Sequence, residues 1–173
     1  QVIRLELGKL SNFPGAKLNL DYLKKLDTLV SLGRHNGIKT FFKMTVYGVD
    51  KFVWEDFWLN KKGEYKTYID AWKIIWKRFS NDNAVLGYDV VNEPRKLTMD
   101  ISYDALTNKY LIPLYHQIID ESQKINADKI TLFQSVFMNK GEKIDNNQYS
   151  EIKKPINRQN VIFSPHIYQN NID

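Results

Sequence analysis

The stretch "VLGYDVVNEPRK" runs apolar from Val85 and ends abruptly on Asn92, Glu93 and Pro94. A carboxylate at the mouth of an apolar segment is costly to desolvate, so either solvent reaches it or chemistry uses it. An amide next to a carboxyl group is a pairing that can orient a polar ligand while moving a proton. Other segments repeat the pattern of an apolar run that ends on polar groups. Arg4 and Glu6 lie in "VIRLEL", Lys43 and Thr45 in "IKTFFKMTV", Gln134 in "KITLFQSVF", and His166 and Tyr168 in "NVIFSPHIY".

These segments are the strands that must position the groups. Val2–Leu7, 38–46, 84–90 and the two runs around Leu132 and Ile162 are continuous apolar stretches rather than alternating ones. Between them lie helical patterns. Leu20, Leu23, Leu26, Leu29 and Val30 recur at helical spacing and stop at Asn36-Gly37; Tyr68, Ala71, Trp72, Ile75, Trp76 and Phe79 mark a second face. Leu111, Leu114, Tyr115, Ile118 and Ile119 mark another over 103–124, with a kink or late start expected at Pro113. Strand–helix alternation with fully apolar strands predicts a parallel sheet covered by helices, as a doubly wound open sheet or a (β/α)8 barrel. No Gly-rich loop follows the first strand, which disfavours nucleotide binding. In either architecture the C-terminal strand ends collect function, and the polar residues above share that end.

Composition bounds the alternatives. The 173 residues are 43% hydrophobic and 26% charged, and carry a net charge of +5 with acids and bases interleaved, so a solvated surface rather than a nucleic-acid partner is expected. There is no cysteine, which excludes thiolate chemistry and disulfides. No apolar run is long enough for a transmembrane helix. The chain opens on Gln1 rather than methionine, so upstream sequence is expected to be missing.

"GYDVVNEP" resembles the fourth-strand motif of glycoside hydrolase family 5, within the (β/α)8 retaining glycosidases. The preceding helix, "FWLNKKGEYKTYIDAWKIIWKRFSNDNAVLGYD", is similar to endoglycoceramidase-like and related members, "SPHIY" to the sixth-strand His-x-Tyr segment, and Arg4 to the second-strand arginine. The resemblance implies an α/β fold, a (β/α)8 TIM barrel, present over residues 1–173 as one partial barrel domain holding strands two to six. The first, seventh and eighth strands would lie outside it, since such a barrel takes about 250 residues.

It further implies hydrolysis of β-linked glycans or glycoconjugates with retention, without metal or organic cofactor. Glu93 would be the acid/base and Asn92 would bond the sugar 2-OH. Arg4 would hold the nucleophilic carboxylate ionised, with His166 and Tyr168 lining the same subsite. Retaining chemistry needs a second carboxylate about 5–5.5 Å away. In the family that is a seventh-strand glutamate, expected beyond Asp173 or on another chain that completes the barrel, so the isolated fragment is expected to be inactive. Where relatives carry a third-strand histidine, this sequence has Lys43-Met44-Thr45, so Lys43 is the expected substitute contact. Trp54, Phe57 and Trp58 are candidates for an aromatic sugar platform or for packing, and Trp58 is taken as a substrate contact. An extracellular location fits the resemblance. The competing expectation is a non-catalytic carbohydrate-binding or scaffold module derived from such a barrel.

Overall fold

A computed structural model describes residues 1–7, 20–46, 54–96, 99–136 and 152–166. The strands are β1 (Val2–Glu6), β2 (Lys39–Lys43), β3 (Val85–Asp89), β4 (Ile130–Phe133) and β5 (Val161–Phe163). They form one sheet in the order β1-β2-β3-β4-β5, with every neighbouring pair parallel. A doubly wound sheet reverses direction at a switch point, whereas this order advances one strand at a time. The arrangement is that of a partial (β/α)8 barrel, and it removes the open-sheet alternative.

Helix α1 (Leu20–His35) connects β1 to β2 and buries Leu23, Leu26 and Val30, as their spacing predicts. It ends where Gly37 takes a φ of 68°, a left-handed turn that glycine adopts without a Cβ clash. Between β2 and β3 come α2 (Trp54–Leu59), which periodicity did not foresee, and α3 (Glu64–Phe79), which spans the expected residues.

The next connection begins as one turn, α4 (Tyr103–Ala105), widens into a π-helical stretch over Leu106–Leu111 and continues as α5 (Ile112–Gln123). The amide of Ile112 bonds the Thr107 carbonyl five residues back, immediately before Pro113. Proline has no N–H to give a regular helical bond, and the wider turn absorbs that loss. The kink expected at Pro113 therefore takes the form of a change of helix type.

The core lies between the sheet and these helices. Trp72 and Trp76 stack at 6.0 Å, and each meets Tyr88 of β3 edge-on. Phe42 of β2 lies 4.8 Å from Phe79 of α3. Since Phe42 and Tyr88 face the helices, the alternate positions Phe41, Lys43, Gly87 and Asp89 belong to the opposite face of the sheet. That face also carries Arg4, paired in register with Phe41, and Glu6, paired with Lys43.

Gly87 is where the sheet tolerates no side chain. The β2–β3 register shifts between Thr40 and Phe41, and a Cβ placed on Gly87 would lie 1.9 Å from the backbone oxygen of Ile130. Gly33, by contrast, would bring a Cβ to 3.3 Å from the Ile38 oxygen. Gly87→Ala is expected to cost about 3 kcal/mol or more by forcing β3 and β4 apart. Gly33→Ala should cost clearly less, and urea unfolding of the two variants side by side checks the ranking.

Candidate active site

The regular β3 strand ends at Asp89, before Asn92 and Glu93, so the backbone beyond it needs other partners. Aromatic tips from the helices supply them. Tyr68 of α3 donates to the Met44 carbonyl at 3.0 Å and to that of Val90 at 2.9 Å, and Trp72 Nε1 donates to Val90 at 3.0 Å. Tyr115 of α5 donates to the Val91 carbonyl at 3.4 Å and accepts the Gln134 amide at 3.0 Å. The amide of Asn92 bonds the Met44 carbonyl at 2.9 Å. Burial pushes the Tyr68 and Tyr115 hydroxyls far up, so they stay protonated donors across the working pH range.

Fixed this way, the segment after β3 presents Asn92 and Glu93. Glu93 has a φ of 49°, a left-handed conformation that side-chain-bearing residues seldom adopt. Such strain persists only where surrounding bonds over-determine it, and it clusters at functional sites. Here the Glu93 amide donates to Gln134 Oε1 at 3.1 Å, and the Glu93 carboxyl meets His166 Nδ1 at 3.0 Å and an Arg95 nitrogen at 3.4 Å. The Glu93 and His166 side chains keep 18% and 12% of their exposure, so solvent or a ligand reaches both.

Arg4 ties the site together from β1. Its guanidinium forms an ion pair with Asp89, donates to Asn92 Oδ1 at 2.9 Å and lies 3.0 Å from His166 Nε2. A guanidinium only donates, so His166 Nε2 must accept and the imidazole proton sits on Nδ1, aimed at Glu93 Oε1. The same logic turns the Asn92 oxygen toward Arg4 and its Nδ2 away from it.

Asp89 is fully buried, and burial pushes its carboxyl above its ordinary range. Arg4, the Gln134 amide, His166 and Lys43 pull it back down without cancelling that push.

The expected residues divide as follows. Glu93, Asn92, Arg4 and His166 converge in one hydrogen-bonded cluster. Lys43 lies at the same strand end, with its ammonium 3.0 Å from a Glu6 oxygen, so an acidic neighbour already holds it. Tyr168 and the side chain of Trp54 lie outside the described residues.

The sugar platform expected at Trp58 is corrected. Trp58 is 1% exposed, Phe57 is wholly buried, and the Trp58 indole donates to the Arg95 carbonyl at 2.8 Å. Phe57 packs edge-on against Trp58, Tyr65 and Tyr68, so α2 is an apolar wedge against α3. The burial of α2 against α3 favours packing for these rings, the other option the sequence left open. Trp58 instead steadies the backbone that carries Arg95.

Three participants had no role from the sequence. Gln134 appears only among polar strand ends, and Asp89 and Arg95 only as letters within the quoted stretch around Asn92 and Glu93. Asp89 was detectable as a charge in an otherwise apolar strand, one step out of phase with Tyr88. Among the described residues, no cluster of His, Asp and Glu could hold a metal ion, and no helix is long and apolar enough to cross a membrane.

The profile of the cellulase family, glycosyl hydrolase family 5, matches residues 1–172. The chain belongs to that family. Solved structures agree on the fold. Endo-glycoceramidase II from Rhodococcus sp., as a lactosyl-enzyme intermediate, superposes with a TM-score of 0.74 at 15% identity over 97% of this chain and 49% of its own. An endogalactoceramidase gives 0.73 at 16% identity, over 97% of this chain and 47% of its own. The endoglucanase Cel5A of Pseudomonas stutzeri gives 0.60 at 21% identity, over 77% of this chain and 38% of its own. The family-5 chain thus spans about half the length of endo-glycoceramidase II and of the endogalactoceramidase, and less of Cel5A. No curated protein matches its sequence.

The Asp89 environment generates a prediction with a definite sign. A carboxyl raised in the folded state binds its proton more tightly there than when unfolded. Its contribution to stability is therefore fullest below the ordinary value of 3.8 and is lost as pH rises through the raised value. Asp89→Asn removes this dependence. The stability of the parent relative to the variant should fall as pH rises from 3.8, which urea midpoints across an acid pH series would measure. A difference that grows with pH would mean that Arg4 outweighs burial.

Proposed function

We propose that the protein to which this chain belongs is a retaining glycosidase acting on β-linked glycans or glycoconjugates, with Glu93 as acid/base. The observation that carries this is the Glu93 carboxyl at the open end of β3, strained in backbone and bonded to His166 and Arg95, in a chain of family 5. A glycoconjugate substrate is supported by the kinship in fold with endo-glycoceramidase II and the endogalactoceramidase.

In the first half of the reaction a carboxylate supplied from outside residues 1–173 attacks the anomeric carbon. The bond to the glycosidic oxygen breaks as Glu93 delivers its proton to that oxygen, and the aglycone leaves as an alcohol. In the second half Glu93, now ionised, takes a proton from water. The resulting hydroxide equivalent attacks the anomeric carbon, the sugar is released and the nucleophile is restored.

His166 Nδ1–H and Arg95 both donate to the Glu93 carboxyl, an arrangement suited to the ionised base. Oε2, with the longer contact to Arg95 at 3.4 Å, is the oxygen better placed to carry the transferable proton. Asn92, its oxygen held by Arg4, turns Nδ2 outward as a donor for a sugar hydroxyl. A second carboxylate brought close would favour a shared proton on the pair.

Glu93→Gln in the complete enzyme should lower turnover of substrates with poor leaving groups by at least about a hundredfold. Aryl glycosides whose leaving groups need no proton should be affected far less in the first step. Added azide, which needs no base, should partly restore their turnover and yield a glycosyl azide of retained configuration. Unchanged hydrolysis in the variant would remove Glu93 from the role. Residues 1–173 expressed alone should show no turnover, and activity should require polypeptide that supplies the second carboxylate; product release assays on the two lengths decide this.

A further inference from the structure

The hydrogen bonds at the strand ends close into a ring. Arg4 donates to Asp89 and to His166 Nε2, and His166 Nδ1–H donates to Glu93 Oε1. On the other side Gln134 Nε2 donates to Asp89 Oδ1 at 2.8 Å, while Gln134 Oε1 accepts the Glu93 amide at 3.1 Å. Four strands thereby contribute to one circuit, and every member is used in the sense its chemistry allows.

Gln134 is the member on which the Glu93 backbone rests. It is 3% exposed, and its own amide is anchored to the Tyr115 hydroxyl. An ionised carboxylate only accepts, so Asp89 compels the amide group of Gln134 to face it with nitrogen. The oxygen is thereby turned to the N–H of Glu93, a residue held in the left-handed region at this point in the chain.

We infer that Gln134 is a positioning residue: through its bonds to Asp89 and to the Glu93 amide it sets the direction of the Glu93 carboxyl. The inference rests on the reading of Glu93 as acid/base for its kinetic consequence, and on geometry alone for its structural one. Proton transfer demands that the carboxyl lie within hydrogen-bond reach of the glycosidic oxygen, so a change in the Glu93 backbone angle reaches the chemistry directly.

The test compares Gln134→Leu, Gln134→Glu and Glu93→Gln in the complete enzyme. It reads turnover of aryl glycosides with good and poor leaving groups, together with hydrogen exchange of the Glu93 amide followed by NMR. Gln134→Leu removes both bonds. Its kcat on poor leaving groups should fall about tenfold to a hundredfold, part of the usual acid-catalytic gain. Its kcat on good leaving groups should change much less, KM should stay near the parent value, and the Glu93 amide should exchange faster.

Gln134→Glu keeps the shape and the acceptor for Glu93, but it faces Asp89 correctly only when protonated. Its activity should approach the parent at acid pH and decline toward that of the leucine variant as pH rises, a limb lying at lower pH than the parent's own alkaline limb. Equal losses on all substrates, with no such limb and unchanged Glu93 amide exchange, would overturn the inference. If Glu93→Gln shows no leaving-group dependence, the acid/base reading fails on its own and the amide decides for Gln134. Faster exchange in Gln134→Leu then upholds the positioning role, and unchanged exchange rejects it.

Discussion

A carboxylate with no exposure sits at the end of the central strand, and the polar groups at that end of the sheet are arranged around it. Asp89 in the interior carries a desolvation penalty of several kcal/mol unless charge and hydrogen bonds offset it. Arg4 supplies the opposite charge and Gln134 the hydrogen bond. Each of these is then committed, and their remaining donors and acceptors fall on Asn92, His166 and Glu93. The groups that face a ligand are thus held by groups that do not, and the arrangement propagates outward from one buried charge. Half-satisfied networks of this type are costly, so the site is expected to be present as a whole or to collapse as a whole.

The aromatic residues of α3 and α5 perform a second task beyond filling the core. Tyr68, Trp72 and Tyr115 combine a large apolar body with a polar tip, and each tip reaches a carbonyl past the end of the β3 or β2 ladder. An aliphatic core of equal volume would take away every side-chain donor that these carbonyls now accept from. The packing layer and the polar layer at the strand ends are therefore not separable: one ring fills the space between sheet and helix, and its edge fixes the backbone that carries Glu93.

Much of this was legible in the sequence because the strand runs are predominantly apolar and the helices repeat at a clear spacing. The face of α3, from Tyr68 to Phe79, announced itself by spacing, and the Asn92-Glu93-Pro94 stop marked the site. Arg4 and His166 were reachable through the family resemblance, although they are 162 positions apart in sequence. What stayed hidden depended on contacts that spacing does not encode. Trp58 reads like a ring available to sugar, but α2 turns it inward, and a six-residue helix leaves little periodicity to detect. Gln134 looked like any polar residue after a strand, since its importance lies in the backbone angle of a residue 41 positions earlier. The widening before Pro113 likewise follows from a missing N–H, whose consequence the sequence marks only as a disturbance.

The order of the sheet has a further consequence for how the chain acquires its structure. Each strand bonds only to the strands that immediately precede and follow it in sequence. During synthesis, each of β2 to β5 finds its earlier ladder partner already emerged. Loop-closure entropy is met in small instalments, one crossover at a time, which keeps contact order low for a parallel sheet. The circuit around Asp89 is the exception, because its last member, His166, arrives on the fifth strand. Growth of the scaffold is therefore gradual, while the hydrogen-bonded circuit at its rim closes late and in a single step.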